Sequence, residues 1–335
     1  MRTAFILLVS LTAMARESNG DAESWIKRFE GMNREWVSVL EAGENRLYAG
    51  TSERIYISQN DGYSWYTVAF KDTVTAIAAD GDTVYAGTRT QGVFRSDDAG
   101  VTWKPIRDGL QTYKSGSFGE VRRILVMFDE IINVMYHKGT YASNDRGETW
   151  LDLSREWERG DSIHSIQQFD GYLWCAISIS SMARSSDNGR TWESLRRYET
   201  GHVIDWAILN NRLYIAGGNG VGRWNEKTQD WEYPMKGLPN GSGHDSDDPP
   251  SVLSLAVHGG RLYAGLKGHG IYVFDARTDT WGSVGLDGRW VYALLSYKSS
   301  LYAGADDGLY SAAIDRLQPH GKAVTTWASL KQGIK

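Results

Sequence analysis

The feature that most constrains this chain is an eight-residue pattern ending in tryptophan that occurs four times. It reads Ser58-Gln-Asn60-Asp-Gly62-Tyr-Ser64-Trp65, Ser96-Asp-Asp98-Ala-Gly100-Val-Thr102-Trp103, Ser143-Asn-Asp145-Arg-Gly147-Glu-Thr149-Trp150 and Ser185-Ser-Asp187-Asn-Gly189-Arg-Thr191-Trp192. Such a segment suits a tight hairpin turn. The short carboxylate or amide accepts hydrogen bonds from the turn's own N–H groups, glycine takes positive φ without a Cβ clash, and tryptophan opens the outgoing strand with a large ring to bury. Every part of the pattern therefore has a structural use.

Three further segments keep the tryptophan and change the turn: Trp224 to Trp231, Phe274 to Trp281, and a longer, weaker stretch ending at Trp327. Upstream of each turn a second pattern recurs, an apolar strand and then Leu47-Tyr48-Ala49-Gly50, Val84-Tyr85-Ala86-Gly87, Leu213-Tyr214-Ile215-Ala216-Gly217, Leu262-Tyr263-Ala264-Gly265 or Leu301-Tyr302-Ala303-Gly304. The third and fourth repeats carry degenerate versions, Val134-Met135-Tyr136 and Leu173-Trp174-Cys175. Trp65 to Trp327 covers 262 residues in six intervals, about 44 per repeat, the length of one four-stranded propeller blade with its loops. The expectation is an all-β, seven-bladed β-propeller of four-stranded antiparallel blades. Its first strands start near Val37, Val74, Arg122, Ile163, Val203, Val252 and Val291. Trp25 to Phe29 supplies a surplus strand that closes the ring by completing the last blade and removing an exposed edge, with the segment around Trp327 competing for that place.

The composition agrees: 14 Trp, 18 Tyr and 37 Gly against 6 Pro in 335 residues favour many short strands joined by tight turns. Residues 1–15 combine Arg2, an apolar run and the triplet Ala13-Met14-Ala15, which reads as a signal peptide cleaved after Ala15. The expected organisation is signal peptide 1–15, linker 16–23, propeller 24–330 and tail 331–335, in a secreted or periplasmic protein without an integral membrane segment in its mature chain. The formal charge of -5 and the lack of a basic run argue against nucleic acid as a partner. The lone Cys175 reads as a small buried hydrophobe.

The four turns resemble those of the Asp-box, or BNR, repeat superfamily over residues 24 to 330, and the later repeats look kelch-like. Relatives in that superfamily include sialidases, xyloglucanase-type hydrolases, sortilin-like receptors and photosystem II assembly factors. The resemblance implies that Asn60, Gly62, Trp65, Asp98, Gly100, Trp103, Asp145, Gly147, Trp150, Asp187, Gly189 and Trp192 are structural, lying at the blade periphery away from the ligand face. Function then belongs to the loops between blades and between second and third strands.

On those loops the candidate ligand-binding residues are Arg54, Arg89, Tyr113, Trp157, His244, His269 and Trp290, with Trp36 and Trp206 as further aromatic platforms. Arg122, Arg123, Arg155, Arg159, Arg196 and Arg197 lie near inter-blade segments. His244 with Asp245, Asp247 and Asp248 supplies oxygen-rich ligands for a hard cation, but the spacing matches no EF-hand and two prolines follow. The loop reads as a solvated acidic turn, so no metal and no cofactor are expected.

Sialidase-type relatives carry an Arg-Ile-Pro triplet early in the chain, absent here, where the first proline is Pro105. Inverting hydrolysis needs two carboxyl groups facing across the pore. Asp72, Asp161, Asp205, Asp287, Asp306 and Asp307 lie near loop ends, and nothing singles out a pair. The reading is a monomeric binding or scaffold propeller for a protein or glycan partner, with a glycoside hydrolase acting at the central pore as the alternative.

Overall fold

The structure is a computed structural model. It describes residues 25–28, 32, 34–127, 130–135, 139–153, 163–177, 181–195, 197–241 and 249–313. The expected signal peptide, Trp157, Arg155, Arg159, Asp161, Arg196, the acidic loop at His244 to Asp248, and Trp327 lie outside them.

The described residues form 28 strands grouped in four-stranded antiparallel sheets. Each sheet begins with an innermost strand: Val39–Ala42, Val74–Asp80, Val121–Met127, Ile163–Phe169, Val203–Leu209, Val252–His258 and Val291–Tyr297. These strands contact one another in that order, and the last contacts the first, so the sheets surround a common axis as the blades of a β-propeller.

The expectation of a seven-bladed ring of four-stranded blades is corrected by the topology. Six blades are each complete in four consecutive strands, whereas the remaining sheet is assembled from both ends of the chain. It combines Val291–Tyr297, Ser300–Ala305 and Gly308–Ala313 with an outer strand that is only Ile26–Lys27, paired through Ile26 with Ser311 and Lys27 with Tyr310. That outer strand falls within the Trp25 to Phe29 expected from the sequence, of which Phe29 lies outside the described residues. Trp25 precedes it, buries its ring and donates from Nε1 to the Val284 carbonyl at 2.8 Å in the preceding blade. Arg28 Nε donates to Ser311 Oγ at 2.7 Å. Among the described residues, closure therefore combines a short backbone pairing, extended by Arg28 N to Leu309 O at 3.0 Å, with these side-chain contacts.

The Tyr-Ala-Gly strands explain how neighbouring blades approach. A Cβ placed on Gly87 would stand 2.3 Å from Val121 Cγ1, the start of the next blade, and one on Gly50 would stand 2.6 Å from Val39 Cγ1 and 2.9 Å from Val74 Cγ1. Glycine here makes room for the valine that opens an innermost strand. The tyrosines Tyr48 and Tyr263 are buried further out, filling the wider space between diverging sheets. Cys175 is fully buried, and burial pushes its thiol well above the usual range, so it packs as a small hydrophobe.

Innermost and second strands are joined by two-residue turns such as Asn210-Asn211, φ 51° and 55°, between Leu209 and Arg212. Positive φ at both positions is the type I′ geometry that matches the strand twist. These turns lie on one face of the ring together with the tryptophan-ended hairpins. The connections between blades and the second-to-third-strand turns lie on the other, referred to below as the loop face.

Candidate functional site: the loop face and the central channel

The tryptophan-ended turns consume their own polar groups. Asp98 Oδ1 accepts from Thr102 N at 2.8 Å and Ser96 Oγ at 2.7 Å, Oδ2 accepts from Thr102 Oγ1 at 2.6 Å, and Gly100 N donates back to Ser96 Oγ at 2.8 Å. Asp145 and Asp187 repeat this arrangement with Thr149 and Thr191. The threonine hydroxyl, then the backbone N–H, holds the carboxyls of Asp98, Asp145 and Asp187 down to about 2. Asn60 does the same work with Ser64 and Ser58. Trp65 and Trp103 donate to the carbonyls of Gly62 and Gly100, at 3.2 and 2.9 Å, while Trp150 reaches back to Ile106 O at 3.1 Å. These carboxylates, ionised and saturated, hold hairpins.

On the loop face the structure gathers the sequence candidates into two groups. Trp290, 38% exposed, lies with its ring 6.1 Å from that of Tyr292, which stands 5.0 Å from Trp36. Lys267 Nζ sits 4.6 Å from the Trp290 ring centre, a cation–π contact. His269 lies on the same short turn as Lys267, half-buried. Arg54 is also half-buried and places Nη1 3.7 Å from Glu35 Oε1, which accepts from Tyr56 Oη at 3.3 Å, next in sequence to Trp36. In the second group, Arg89 is exposed on the turn after Thr83–Thr88. The loop carrying Tyr113, itself 37% exposed, docks on that turn through Phe118 N to Thr90 O at 2.9 Å.

Between these groups opens a central cavity of about 770 Å³, lined by the innermost strands of the blades. Strand register places its residues in levels. Val39, Ala76, Arg123, Ser165, Asp205, Ser254 and Ala293 form one level; two residues further along come Glu41, Ala78, Leu125, Gln167, Ala207, Ala256 and Leu295. Arg123 Nη1 donates to Asp205 Oδ1 at 3.2 Å and Nη2 to Gln167 Oε1 at 2.9 Å, spanning three blades. Asp205 also accepts from Trp206 N and Leu255 N, both at 2.8 Å. Trp206 is buried rather than a platform, donating to Ser165 Oγ at 2.6 Å. Burial pushes the Asp205 carboxyl upward against the pull of Arg123 and the two backbone amides.

Glu41 is the functional candidate that the sequence reading missed. It lines the cavity at a level otherwise filled by Ala, Leu and Gln, and among the described residues no cation lies within 4.0 Å of it. Burial pushes its carboxyl up to about 7, against the more distant attraction of Arg123. An acidic residue in the apolar run Val39-Leu40-Glu41-Ala42, where aligned repeats carry Ala, Leu or Gln, was the available signal.

Among the other carboxylates weighed as hydrolytic candidates, Asp306 is exposed, whereas Asp72, Asp287 and Asp307 have structural engagements. Asp72 Oδ2 caps Thr90 N, Thr90 Oγ1 and Gln91 N. Asp307 binds Lys27, Arg289 and Tyr310, and Asp287 accepts from Ser283. Among the described residues no group of three or more His, Cys, Asp or Glu is placed to hold a metal ion, and no helix is long and apolar enough to cross a membrane.

Comparison with known proteins agrees with the architecture. The chain superposes on YCF48 bound to D1 peptide with a TM-score of 0.67, covering 88% of this chain and 98% of that one at 11% identity. It is a β-propeller. The propeller likewise superposes on the extracellular domain of BT3049 from B. thetaiotaomicron (TM-score 0.69, 13% identity, 87% of this chain and 41% of that one). PorZ, a surface component of the type-IX secretion system of Porphyromonas gingivalis, gives 0.66 at 13% identity, covering 92% and 49%. In sequence the propeller is 25% identical over 177 residues to the uncharacterised protein YkuO of Bacillus subtilis, 44% of this chain and 54% of that protein. It is 26% identical over 145 residues to a xyloglucanase of Paenibacillus sp., 42% of this chain and 12% of the enzyme. The matches thus span about half of one curated relative and an eighth of the other. No family model matches.

Proposed function

We propose that this chain is an exported Asp-box-type binding propeller that docks a protein partner on its loop face. The observation that carries this reading is the division of labour between the two faces. The hairpin face spends its carboxylates on its own turns, whereas the loop face presents Trp290 in a cluster of tilted rings with Tyr292 and Trp36, together with exposed Arg89 and Tyr113, around an open channel. Aromatic and arginine side chains on a rigid scaffold are the usual anchors of protein interfaces. The structural neighbour that carries a bound peptide supports a protein rather than a glycan as partner.

Hydrolysis is the less supported reading, although the xyloglucanase similarity favours considering it. A two-carboxylate mechanism needs a second free acid. Opposite Glu41, Asp205 has both oxygens engaged by Arg123, Trp206 N and Leu255 N.

The test is site-specific photo-crosslinking in the source cell from positions 89, 113 and 290, with position 151 on the outer rim as control. Capture of one common polypeptide from the three loop-face positions and not from the control is expected. Release of reducing sugar from xyloglucan by the purified chain, lost in Glu41→Gln, overturns the binding reading in favour of hydrolysis.

A further inference from the structure

The channel contains an acid that the described residues leave unbalanced. Its titratable lining is Glu41, Glu120 and Asp205 against Arg122 and Arg123, with His202 and Tyr292. Arg123 is committed to Asp205 and Gln167, and Arg122 Nε lies 3.9 Å from Glu120 Oε2. Among the described residues, three acids against two arginines leave one negative charge, and geometry assigns it to Glu41. The strands packed beside Glu41 bring Thr75 to Ala79 from one neighbouring blade and Tyr292 to Leu295 from the other, none of them cationic.

We propose that the channel is a socket for a single ammonium or guanidinium group, a lysine or arginine side chain of the protein partner, with Glu41 as its counter-ion. This rests on the loop-face reading above and names the chemistry that reading would recognise. The approach suits a cation. Trp36, Tyr292 and Trp290 stand at that side of the mouth, and the Trp290 ring already attracts the Lys267 ammonium at 4.6 Å. Glu41 lies three residues along its strand from Ser38 at the mouth, about 10 Å at the strand rise per residue. A long cationic side chain and the glutamate side chain meet across that depth. A partner anion would instead face a channel carboxylate that lacks compensation, and a neutral chain would leave Glu41 half-buried without a counter-charge.

A proton and a cation compete for the same carboxylate, so binding is linked to pH. The Glu41 carboxyl, raised by burial, is largely protonated at pH 5.5 and ionised at pH 8. The probe is 1,5-diaminopentane, with 1,5-pentanediol as the uncharged analogue, and the readout is the ¹³C shift of the Glu41 carboxyl in the full chain.

Saturating diamine is expected to lower the Glu41 titration midpoint by at least one pH unit, and the diol to leave it unmoved. Diamine affinity should rise about tenfold from pH 5.5 to 8. Glu41→Gln should lose that pH dependence and Glu41→Asp should retain it. An unmoved midpoint, or equal affinity in Glu41→Gln, overturns the socket. Failure of the wild-type chain to bind the diamine alongside crosslinking from the loop face refutes the socket alone, whereas failure of the loop-face positions to crosslink refutes the docking reading.

Discussion

Arg123 Nη1 lies 3.2 Å from Asp205 Oδ1 although 82 residues and an intervening blade separate them. The guanidinium also holds Gln167 of the blade between, so one side chain ties three innermost strands together. Both partners are mostly buried, at 29% and 22% side-chain exposure.

Removing one partner leaves the other desolvated and uncompensated. Arg123→Met is therefore expected to cost about 2–3 kcal/mol, below the usual loss for a fully buried pair because the channel admits water. Urea unfolding midpoints measure it, and a change under 0.5 kcal/mol would mean the pair is ornamental. The double variant Arg123→Met/Asp205→Leu should recover part of the loss.

Glu41 gives a pH prediction of definite sign. Its carboxyl is raised to about 7, so the folded chain binds the proton more tightly than the unfolded chain does. The stabilisation is present below the ordinary glutamate range and disappears as pH rises through 7. Thermal unfolding should show wild type losing up to about 2 kcal/mol relative to Glu41→Gln between pH 5 and 8. Parallel curves would show that the group titrates normally.

The turn aspartates carry the opposite sign. With Asp98, Asp145 and Asp187 held down to about 2 by threonine hydroxyls and backbone amides, their contribution is present above the ordinary aspartate range and is lost as pH falls through 2. Thr149→Val removes the first of those donors. NMR titration should move the Asp145 midpoint upward in this variant and leave Asp98 in place.

Blade spacing can be tested at Gly87. A methyl group there would stand 2.3 Å from Val121 Cγ1, so Gly87→Ala should destabilise by about 1–3 kcal/mol through overpacking. The double variant Gly87→Ala/Val121→Ala should recover much of that loss, because the intruding methyl then has room. Additivity of the two losses would point to a backbone origin instead.

Closure depends on Trp25, whose ring is buried against the last two blades and whose Nε1 reaches Val284 O. Trp25→Ala should cost about 3–5 kcal/mol and expose Gly308–Ala313 to limited proteolysis before the rest of the ring. Uniform cleavage across all blades would refute this local opening.

The repeats made most of the architecture legible. The Ser-x-Asp-x-Gly-x-Thr-Trp turns and the Tyr-Ala-Gly strands are short-range devices, satisfied by residues within eight positions or by the adjacent strand, so their geometry can be read from spacing. The loop positions Arg54, Arg89, Tyr113, His269 and Trp290 could likewise be assigned to one face, because strand order alone decides which connections share a face. The channel could not be read this way. Arg123, Gln167 and Asp205 belong to three different repeats, and only closing the ring brings their levels into register. For the same reason Asp205 could be noticed in the sequence as a carboxylate but not seen to be engaged, and Glu41 looked like one more charge on a strand. Long-range electrostatics depends on distances across an axis that no local pattern encodes. The sequence alone determined the hairpins, the four-stranded repeat and the face that carries the loops; the tertiary structure decided how the ring closes and which acid, among the described residues, was left without a counter-charge.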